Sequence, residues 1–345
     1  MDEPIKTYSL ESLEGLAKEL GQPSFRSKQI ASWLYKHGAG SYDQMTNLPS
    51  SLRKTLAARF PLYSPEIAER QVSQDGTRKY LIRYHDDVLV ETVAIPSRDG
   101  RRLTVCFSTQ AGCPMACSFC ATGREGLARN LAPGEIVDQI AVVQNDFGLR
   151  VSNLVGMGQG EPFLNYDNVL AALHILNHPD YFEIGARHIV VSTCGVVPSI
   201  RRFSTEPEQF TLAISLHSAI QDKREKIMPR ASSFPLSELH LSLVDYIQAT
   251  GRRVTLEYIM IRDVNDQKED FAALASFCKG LLCHVNLIPM NDVEGSPFQP
   301  SPIERVERWK QGLNALDVET TVRESRGADI NGACGQLRNS FKATR

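Results

Sequence analysis

The sequence has no long hydrophobic run and almost no net charge. None of its apolar stretches approaches the roughly 20 residues that a membrane-spanning helix needs, and its first residues do not resemble a targeting peptide. Its 38 Lys and Arg nearly balance 40 Asp and Glu, which gives a formal charge of −2. No global basic field therefore indicates a nucleic-acid-binding protein. We expect a cytoplasmic protein without a membrane partner, in which any contact with nucleic acid depends on local patches.

The sequence also lacks a fourth ligand beside its main cysteine cluster. Of eight cysteines, Cys113, Cys117 and Cys120 form a C-x3-C-x2-C triplet after the strand-like run 103–107. No adjacent Cys or His completes the closed tetrahedral site that structural zinc prefers. An iron–sulfur cube held by three thiolates keeps one iron open for a substrate or cofactor. The triplet therefore favours an iron–sulfur centre over zinc, and over a disulfide in a large chain that we take to be cytosolic.

The order of predicted elements indicates an α/β fold with two additions. Apolar residues at helical spacing predict a small helical bundle within residues 8–60, where Ser24 caps a helix that stops at Gly38. Strand-like runs follow at 79–84 and 88–95. From residue 102 onward strands alternate with helices, which predicts a parallel sheet covered by helices. Six such units are too few for a closed eight-stranded barrel, so we expect an open, partial (β/α)6 barrel.

These elements also suggest the domain boundaries. The predicted barrel strands are 103–108, 153–157, 188–192, 211–216, 254–261 and 284–289, and the helices between them include 133–147, 166–177, 236–249 and 267–279. We divide the chain into a helical domain at 1–75, a β extension at 76–100, the partial barrel at 101–300, and a C-terminal helix and segment at 301–345.

Polar or glycine-rich motifs follow several of the predicted strands. In barrel-like α/β folds, ligands bind at the carboxyl ends of the strands. The motifs at this predicted rim are the cysteine loop, the run 156–162, Ser192-Thr193, Ser215-Leu216-His217 and Asn291. Taken singly, the glycines could form a tight turn, the serines could cap strands, and His217 could be an ordinary buried histidine. Together they predict a ligand site.

These motifs resemble the RlmN/Cfr family of radical S-adenosylmethionine (SAM) methyltransferases, which modify adenine in RNA. The resemblance extends through nearly the whole chain. It is carried by the cysteine triplet, the segment 90–96 with Glu91, Cys106, Gly160-Glu161-Pro162, Ser215-Leu216-His217, Ile288-Pro289 with Asn291, and Ala333-Cys334-Gly335-Gln336-Leu337. Gln159 departs from the family pattern, which has methionine between the two glycines, but the cofactor motif stays intact.

The resemblance implies cofactors and residue roles. A four-iron four-sulfur cluster would be held by Cys113, Cys117 and Cys120, with SAM on its open iron. The residues that would contact SAM are Gly160, Glu161, Ser192, Ser215, Leu216, His217 and Asn291. Cys334 would be methylated and carry the carbon to RNA, Cys106 would later form a transient disulfide with it, and Glu91 would accept a proton.

The implied substrates are an adenine in the peptidyl-transferase loop of 23S rRNA and, for many members, the adenosine 3′ of the tRNA anticodon, both methylated at C2. Methylation at C8, as in the Cfr branch, stays an alternative because the motifs do not separate the two. A different radical SAM reaction, such as glycyl-radical formation, would leave Cys106 and Cys334 without a role. A non-catalytic iron–sulfur RNA-binding module would not cleave SAM.

Further expectations concern partners and the other cysteines. The family implies a reducing donor such as flavodoxin or ferredoxin, and we expect a monomer. Candidates for phosphate contact, beside the cluster and the Cys334 segment, are Arg124, Arg129, Arg323 and Arg326. The glycines around Cys334 favour an exposed, reactive segment. The remaining thiols, which we take as core or incidental, are Cys194, Cys278 and Cys283.

Overall fold

The computed structural model describes residues 2–291, 293 and 295–337, so residues 338–345 of the predicted C-terminal segment lie outside the described residues. The α-helices are α1 (Leu10–Glu19), α2 (Phe25–Ala31), α3 (Ser50–Arg59), α4 (Ala121–Glu125), α5 (Pro133–Phe147), α6 (Tyr166–Asn177), α7 (Val197–Phe203), α8 (Gln221–Ile227), α9 (Leu236–Thr250), α10 (Lys268–Cys278) and α11 (Ile303–Asn314). The strands are β1 (Glu66–Val72), β2 (Arg78–Arg83), β3 (Leu89–Pro96), β4 (Leu103–Cys106), β5 (Gln110–Gly112), β6 (Leu127–Asn130), β7 (Asn153–Gly156), β8 (Ile189–Thr193), β9 (Thr211–Ser215), β10 (Val254–Met260), β11 (Cys283–Pro289) and β12 (Thr320–Val322).

The amino-terminal helices form a small layer with its own apolar residues. Leu13 of α1, Ile30 of α2 and Leu56 of α3 are all at most 1% exposed, as their helical spacing predicts. The predicted cap was wrong, because Ser24 makes no side-chain bond at the start of α2 and its carbonyl instead accepts from Ser27 Oγ at 2.6 Å. A side-chain cap bond is found instead at α1, where Ser9 accepts from the backbone N–H of Ser12.

A buried ion pair joins this helical layer to the barrel. Lys6 Nζ lies 2.7 and 2.9 Å from the two carboxylate oxygens of Asp138 on α5. Each side chain is only 11% exposed, so neither charge has much access to water and each depends on the other. The pair fixes the helical layer against the outer helices of the barrel.

Ten strands form one sheet in the order β1-β2-β3-β4-β7-β8-β9-β10-β11-β12, and β5 pairs with β6 separately. Strands β1 to β4 are antiparallel, whereas every pairing from β4 to β12 is parallel. The prediction of a partial α/β barrel with a helical amino-terminal region and a β extension is confirmed.

Two strands of the ten-stranded sheet went unpredicted, each for a physical reason, as did the separate short pair β5 and β6. Strand β1 is polar and mostly exposed at the sheet edge, so it lacks the apolar alternation that marks a half-buried strand. Strand β12 has three residues, too few to show any period, and adds a seventh strand to the parallel part. Helices α5 and α6 have the predicted bounds. No helix in the described part of the chain is long and apolar enough to cross a membrane.

One face of the middle of the parallel sheet is dry. Val191 of β8, Leu212 of β9 and Leu256 of β10 share that face by the strand register and are each 0% exposed, as expected where helices cover a parallel sheet. The carboxyl ends of these strands consequently meet on one rim, which carries the polar motifs.

Candidate active site

An inner cavity opens at the carboxyl ends of strands β7 to β11, between the sheet and the loop 113–120. Its polar and sulfur-bearing lining comprises Cys113, Cys117, Cys120, Glu161, Ser192, Cys194, Ser215, His217, Glu257, Arg323 and Cys334, together with Gly158 and Gly160. The structure thus brings together the three predicted cluster cysteines and most of the residues predicted to contact SAM. Leu216, Asn291 and Glu91 do not line this inner cavity.

The cysteine loop is held by backbone bonds at both ends. The Cys113 N–H donates to the Gly126 carbonyl at 2.8 Å, and the Cys120 N–H donates to the Cys117 carbonyl at 3.1 Å. Burial raises the pKa of the Cys113 thiol to about 12 and raises the pKa of Cys120 as well. Thiols in so dry a place lose their protons readily only to a metal, because a coordinating thiol is deprotonated outright.

The three cysteine sulfurs are not as close together as the ligands of a single zinc ion. Within the described residues, three potential ligand atoms lie within 4.8 Å of one another in the group His174, Glu206 and Glu208. The cysteine triplet does not meet this distance. Four ligands at the usual Zn–S distance would place sulfurs about 3.8 Å apart. A set of three thiols that is wider than this fits an iron–sulfur cube, whose irons each take one thiolate.

The glycine run after β7 serves close packing. A Cβ at Gly158 would lie 2.7 Å from the Phe107 carbonyl, and one at Gly160 would lie 2.8 Å from the Gln110 nitrogen, at a φ of +107°. Only glycine fits both places. Gln159 between them is 1% exposed, and its side-chain oxygen accepts from the Glu91 N–H at 3.3 Å. Gln159, at which this chain departs from the family pattern, therefore faces β3 rather than the inner cavity.

Glu161 is a buried carboxylate that the backbone orients. One oxygen accepts from the Phe163 N–H at 3.0 Å and the other from the Cys194 N–H at 2.6 Å. Burial raises the pKa of this carboxyl, while the two N–H groups favour its charged form. The result is a fixed hydrogen-bond acceptor in the cavity wall that can take an ammonium group.

The neighbouring strands supply three further polar side chains. Ser192 Oγ of β8 and Ser215 Oγ of β9 lie 3.2 Å apart. His217 has a left-handed φ of +56°, and its Nδ1 accepts from the Ile259 N–H at 3.1 Å. Burial, with a smaller contribution from the Arg224 charge, lowers the pKa of His217 to about 3. Its imidazole is therefore neutral, with the proton on Nε2.

Two charged residues of the inner cavity, Glu257 and Arg323, were not assigned to it from the sequence. Glu257 is 4% exposed, and burial raises its pKa. Asn286 Nδ2 donates to it at 2.9 Å, and Arg323 NH1 lies 3.8 Å from the same oxygen. The sequence does contain a signal for Glu257, because it is the one carboxylate in the apolar run 254–261. Arg323, predicted to contact phosphate, lies in the cavity beside Cys334, whose side chain raises the pKa of Arg323.

A second, outer cavity adjoins the first and contains both predicted reactive thiols. Cys106, Asn291, Arg323 and Cys334 line it, and Cys334 lines the inner cavity as well. Burial raises the pKa of Cys106 to about 12, and the nearby Cys334 adds to that shift. Asn291 Nδ2 donates to the Cys334 carbonyl at 3.2 Å. Asn291 thus holds the Cys334 segment, which is also anchored by the Ala121 N–H on the Gly335 carbonyl.

Glu91 and Leu216 lie behind the cavity walls. Glu91 is 2% exposed, and Lys79 Nζ lies 3.0 Å from its Oε1. The same Lys79 Nζ reaches the Asn331 carbonyl at 3.4 Å, on the segment that leads to Cys334. Leu216 is fully buried in the hydrophobic core, so in this structure it offers its neighbours only its backbone.

Two of the arginines predicted to contact phosphate are already paired with carboxylates of the chain, so for them the phosphate contact stays a prediction. Arg129 bonds both oxygens of Asp86, at 2.6 and 2.9 Å, and both oxygens of Glu135, at 2.7 and 2.8 Å. Arg326 bonds Asp75 at 2.9 Å. Of the four candidates only Arg124 has an exposed side chain. Cys194, taken as incidental, lines the inner cavity, where the neighbouring Cys117 and burial raise the pKa of its thiol.

The fold and the cysteine loop define a class, and the comparisons with known proteins agree with it. Residues 107–275 match the radical SAM superfamily. The crystal structure of a radical SAM methyltransferase from Sphaerobacter thermophilus superimposes with a TM-score of 0.89, at 43% sequence identity, over 97% of this chain and 99% of that one. The chain is therefore a radical SAM enzyme.

The amino-terminal helices and the full-length relatives narrow the class. Residues 5–61 match the ribosomal RNA large subunit methyltransferase N-terminal domain. A protein named probable dual-specificity RNA methyltransferase RlmN from Clostridium botulinum (strain Eklund 17B) is 44% identical, over 99% of this chain and 98% of that protein. A protein of the same name from Symbiobacterium thermophilum is 45% identical, over 98% of this chain and 91% of that protein. The chain belongs to the RlmN family of radical SAM RNA methyltransferases. A four-iron four-sulfur cluster and SAM are its cofactors.

Proposed function

We propose that this enzyme methylates C2 of an adenine in the peptidyl-transferase loop of 23S rRNA and C2 of the adenosine 3′ of the tRNA anticodon, through a methylated Cys334. The dual specificity in the names of its relatives supports two RNA substrates. The alternative is methylation at C8. A reducing donor such as flavodoxin or ferredoxin, and a monomeric state, stay predictions.

One observation carries the proposal. Cys106 and Cys334 are 228 positions apart in the sequence by their numbers, yet both line the outer cavity. Cys334 also faces the inner cavity, which holds the cluster cysteines. A carrier thiol needs access both to the place where SAM is bound and to a resolving thiol, and Cys334 has both. A structural thiol would need neither.

The chain's own residues would act in the following order. The Cys334 sulfur takes the methyl group of one SAM and loses its proton. With its cofactors bound, the cluster supplies the electron that turns a second SAM into a hydrogen-abstracting radical. The Cys334 methyl group gives up a hydrogen atom, and its carbon bonds to the adenine ring.

Release then requires the second thiol. The RNA adduct would return one electron to the oxidised cluster. The ring proton goes to Glu91, which is proposed on family resemblance alone, or to another base. The Cys106 sulfur then attacks the Cys334 sulfur. The S–S bond forms as the bond from Cys334 to the transferred carbon breaks, and that carbon takes a proton to become the methyl group. Cellular thiols reduce the disulfide before the next turnover.

Trapping tests the roles of the two thiols. Cys106→Ala should accumulate protein covalently bound to RNA, because no thiol remains to break the bond to Cys334. Cys334→Ala should give neither adduct nor product. Cys278→Ala, which changes another buried thiol, is the matched control and should release methylated RNA normally. Release of free methylated RNA by Cys106→Ala at the wild-type rate would refute the assignment.

Nucleoside mass spectrometry tests the position of methylation and the RNA. The chain is expressed in a bacterium that lacks its own adenine C2 methyltransferase, and rRNA and tRNA are digested separately. 2-Methyladenosine in both RNAs is the expected result, and 2-methyladenosine in rRNA alone would remove tRNA from the proposal. 8-Methyladenosine would overturn the C2 assignment and leave the thiol chemistry standing.

A further inference from the structure

Arg224 on α8 is a buried cation without a carboxylate partner. It is 1% exposed and ranks first among the largest fully buried side chains. Its three donors reach only backbone carbonyls: Nε bonds Leu216 at 3.2 Å, NH1 bonds Ala231 at 3.3 Å, and NH2 bonds Cys194 at 2.6 Å. No ion pair found within the described ranges includes it. A charge buried this deeply is costly unless a counter-charge lies near.

The surroundings of Arg224 indicate where that counter-charge sits. The carbonyl that NH2 contacts belongs to Cys194, which lines the inner cavity together with Cys117. The Ser118 N–H of the cysteine loop donates to the Ile227 carbonyl at the end of α8, at 2.9 Å. The cysteine loop is therefore docked on the helix that carries Arg224.

A cluster held by three thiolates is the anion that this place fits. Three thiolates give an iron–sulfur cluster a net negative charge, and an added electron makes it more negative. A fixed cation in a dry environment stabilises the more negative state most, because little solvent screens it. Glu161 and Glu257, the carboxylates that line the same cavity, act in the opposite sense, and a buried cation offsets them.

We propose that Arg224 is a positioning residue for the redox step, in which it supplies the buried counter-charge of the cluster and thereby raises the cluster's reduction potential. The inference rests on the cluster ligands proposed above. Its contacts with the Leu216 and Cys194 carbonyls also tie the loops after β9 and β8 to α8 and hold the guanidinium in place. The electron comes from an external low-potential reductant, and Arg224 exchanges no proton or electron itself.

The test compares three variants of the full chain, each reconstituted with iron and sulfide. Arg224→Gln removes the charge, Arg224→Lys keeps it, and Lys226→Gln removes an exposed charge from the same helix. The readout is the midpoint potential of the cluster, followed by electron paramagnetic resonance in a titration without SAM or RNA. Arg224→Gln should lower the equilibrium constant for reduction at least tenfold, a potential shift of about 59 mV for one electron. Arg224→Lys and Lys226→Gln should stay near the wild type.

Every outcome decides between charge and shape. Equal potentials in wild type and Arg224→Gln would overturn the inference, as would an Arg224→Lys potential as low as that of Arg224→Gln. If Arg224→Gln fails to hold a cluster, the potential of Arg224→Lys decides: a value near the wild type supports the inference, and a value lower by about 59 mV or more overturns it. If neither holds one, the shape of arginine is what matters, and the inference fails. A cluster that survives Cys117→Ala would instead refute the proposed ligands.

Discussion

The neutral, buried His217 makes a quantitative prediction about pH. Its pKa is about 3 in the folded chain and 6.5 as the reference value. As the pH falls below 6.5 the unfolded chain binds a proton at this position and the folded chain does not. The contribution of neutral His217 to the free energy of unfolding is therefore fully present above pH 6.5 and is lost progressively between pH 6.5 and pH 3. From pH 7 to pH 5 the loss is about 2 kcal/mol of unfolding free energy, at 1.36 kcal/mol for each pH unit.

The informative substitution is His217→Asn. Asparagine tolerates the left-handed φ of +56°, and its side-chain oxygen can accept from the Ile259 N–H in place of Nδ1, but it does not titrate. Urea unfolding of the cluster-free chain at pH 7 and pH 5 gives the stability loss of each variant. We expect the wild type to lose about 2 kcal/mol more than His217→Asn over this interval.

The difference between variants isolates His217, because the raised carboxyl pKa values of Glu161 and Glu257 affect both chains alike. His37→Asn removes an exposed imidazole and should follow the wild type. If His217→Asn and the wild type lose equal stability between pH 7 and pH 5, the histidine is not held neutral by burial. The description of His217 as an Nε2–H donor in the cavity would then be wrong.

Two further predictions follow from close contacts. Gly160→Ala puts a methyl group against the Gln110 backbone at a positive φ and should cost about 2–4 kcal/mol of stability by urea unfolding. The control Gly251→Ala, whose added methyl group meets no atom within 4 Å, should cost about 1 kcal/mol. Equal costs would show that the glycine run is not closely packed. Lys6→Met leaves the Asp138 charge buried alone and should lower the free energy of unfolding by about 3 kcal/mol. The double variant with Asp138→Leu should restore much of this loss. A double variant as unstable as the single one would contradict this account.

The sequence alone determined the chemistry that depends on residue type and local spacing. Three thiols within eight positions define a metal centre wherever the loop lies, because coordination needs only that they converge. The alternation of strands and helices determined the parallel sheet, since such a sheet requires crossover connections. These local rules also predicted α5 and α6 with the bounds they have in the structure.

Tertiary structure alone decided which distant side chains share an environment. Cys194 looked incidental until the fold placed it in one cavity with Cys117, and only the fold shows that Arg224 is buried and faces backbone carbonyls. Arg129 looked available for RNA, but it is bound to two carboxylates of the chain. Charge pairing and dehydration are set by distances across the fold, and a linear sequence does not contain those distances.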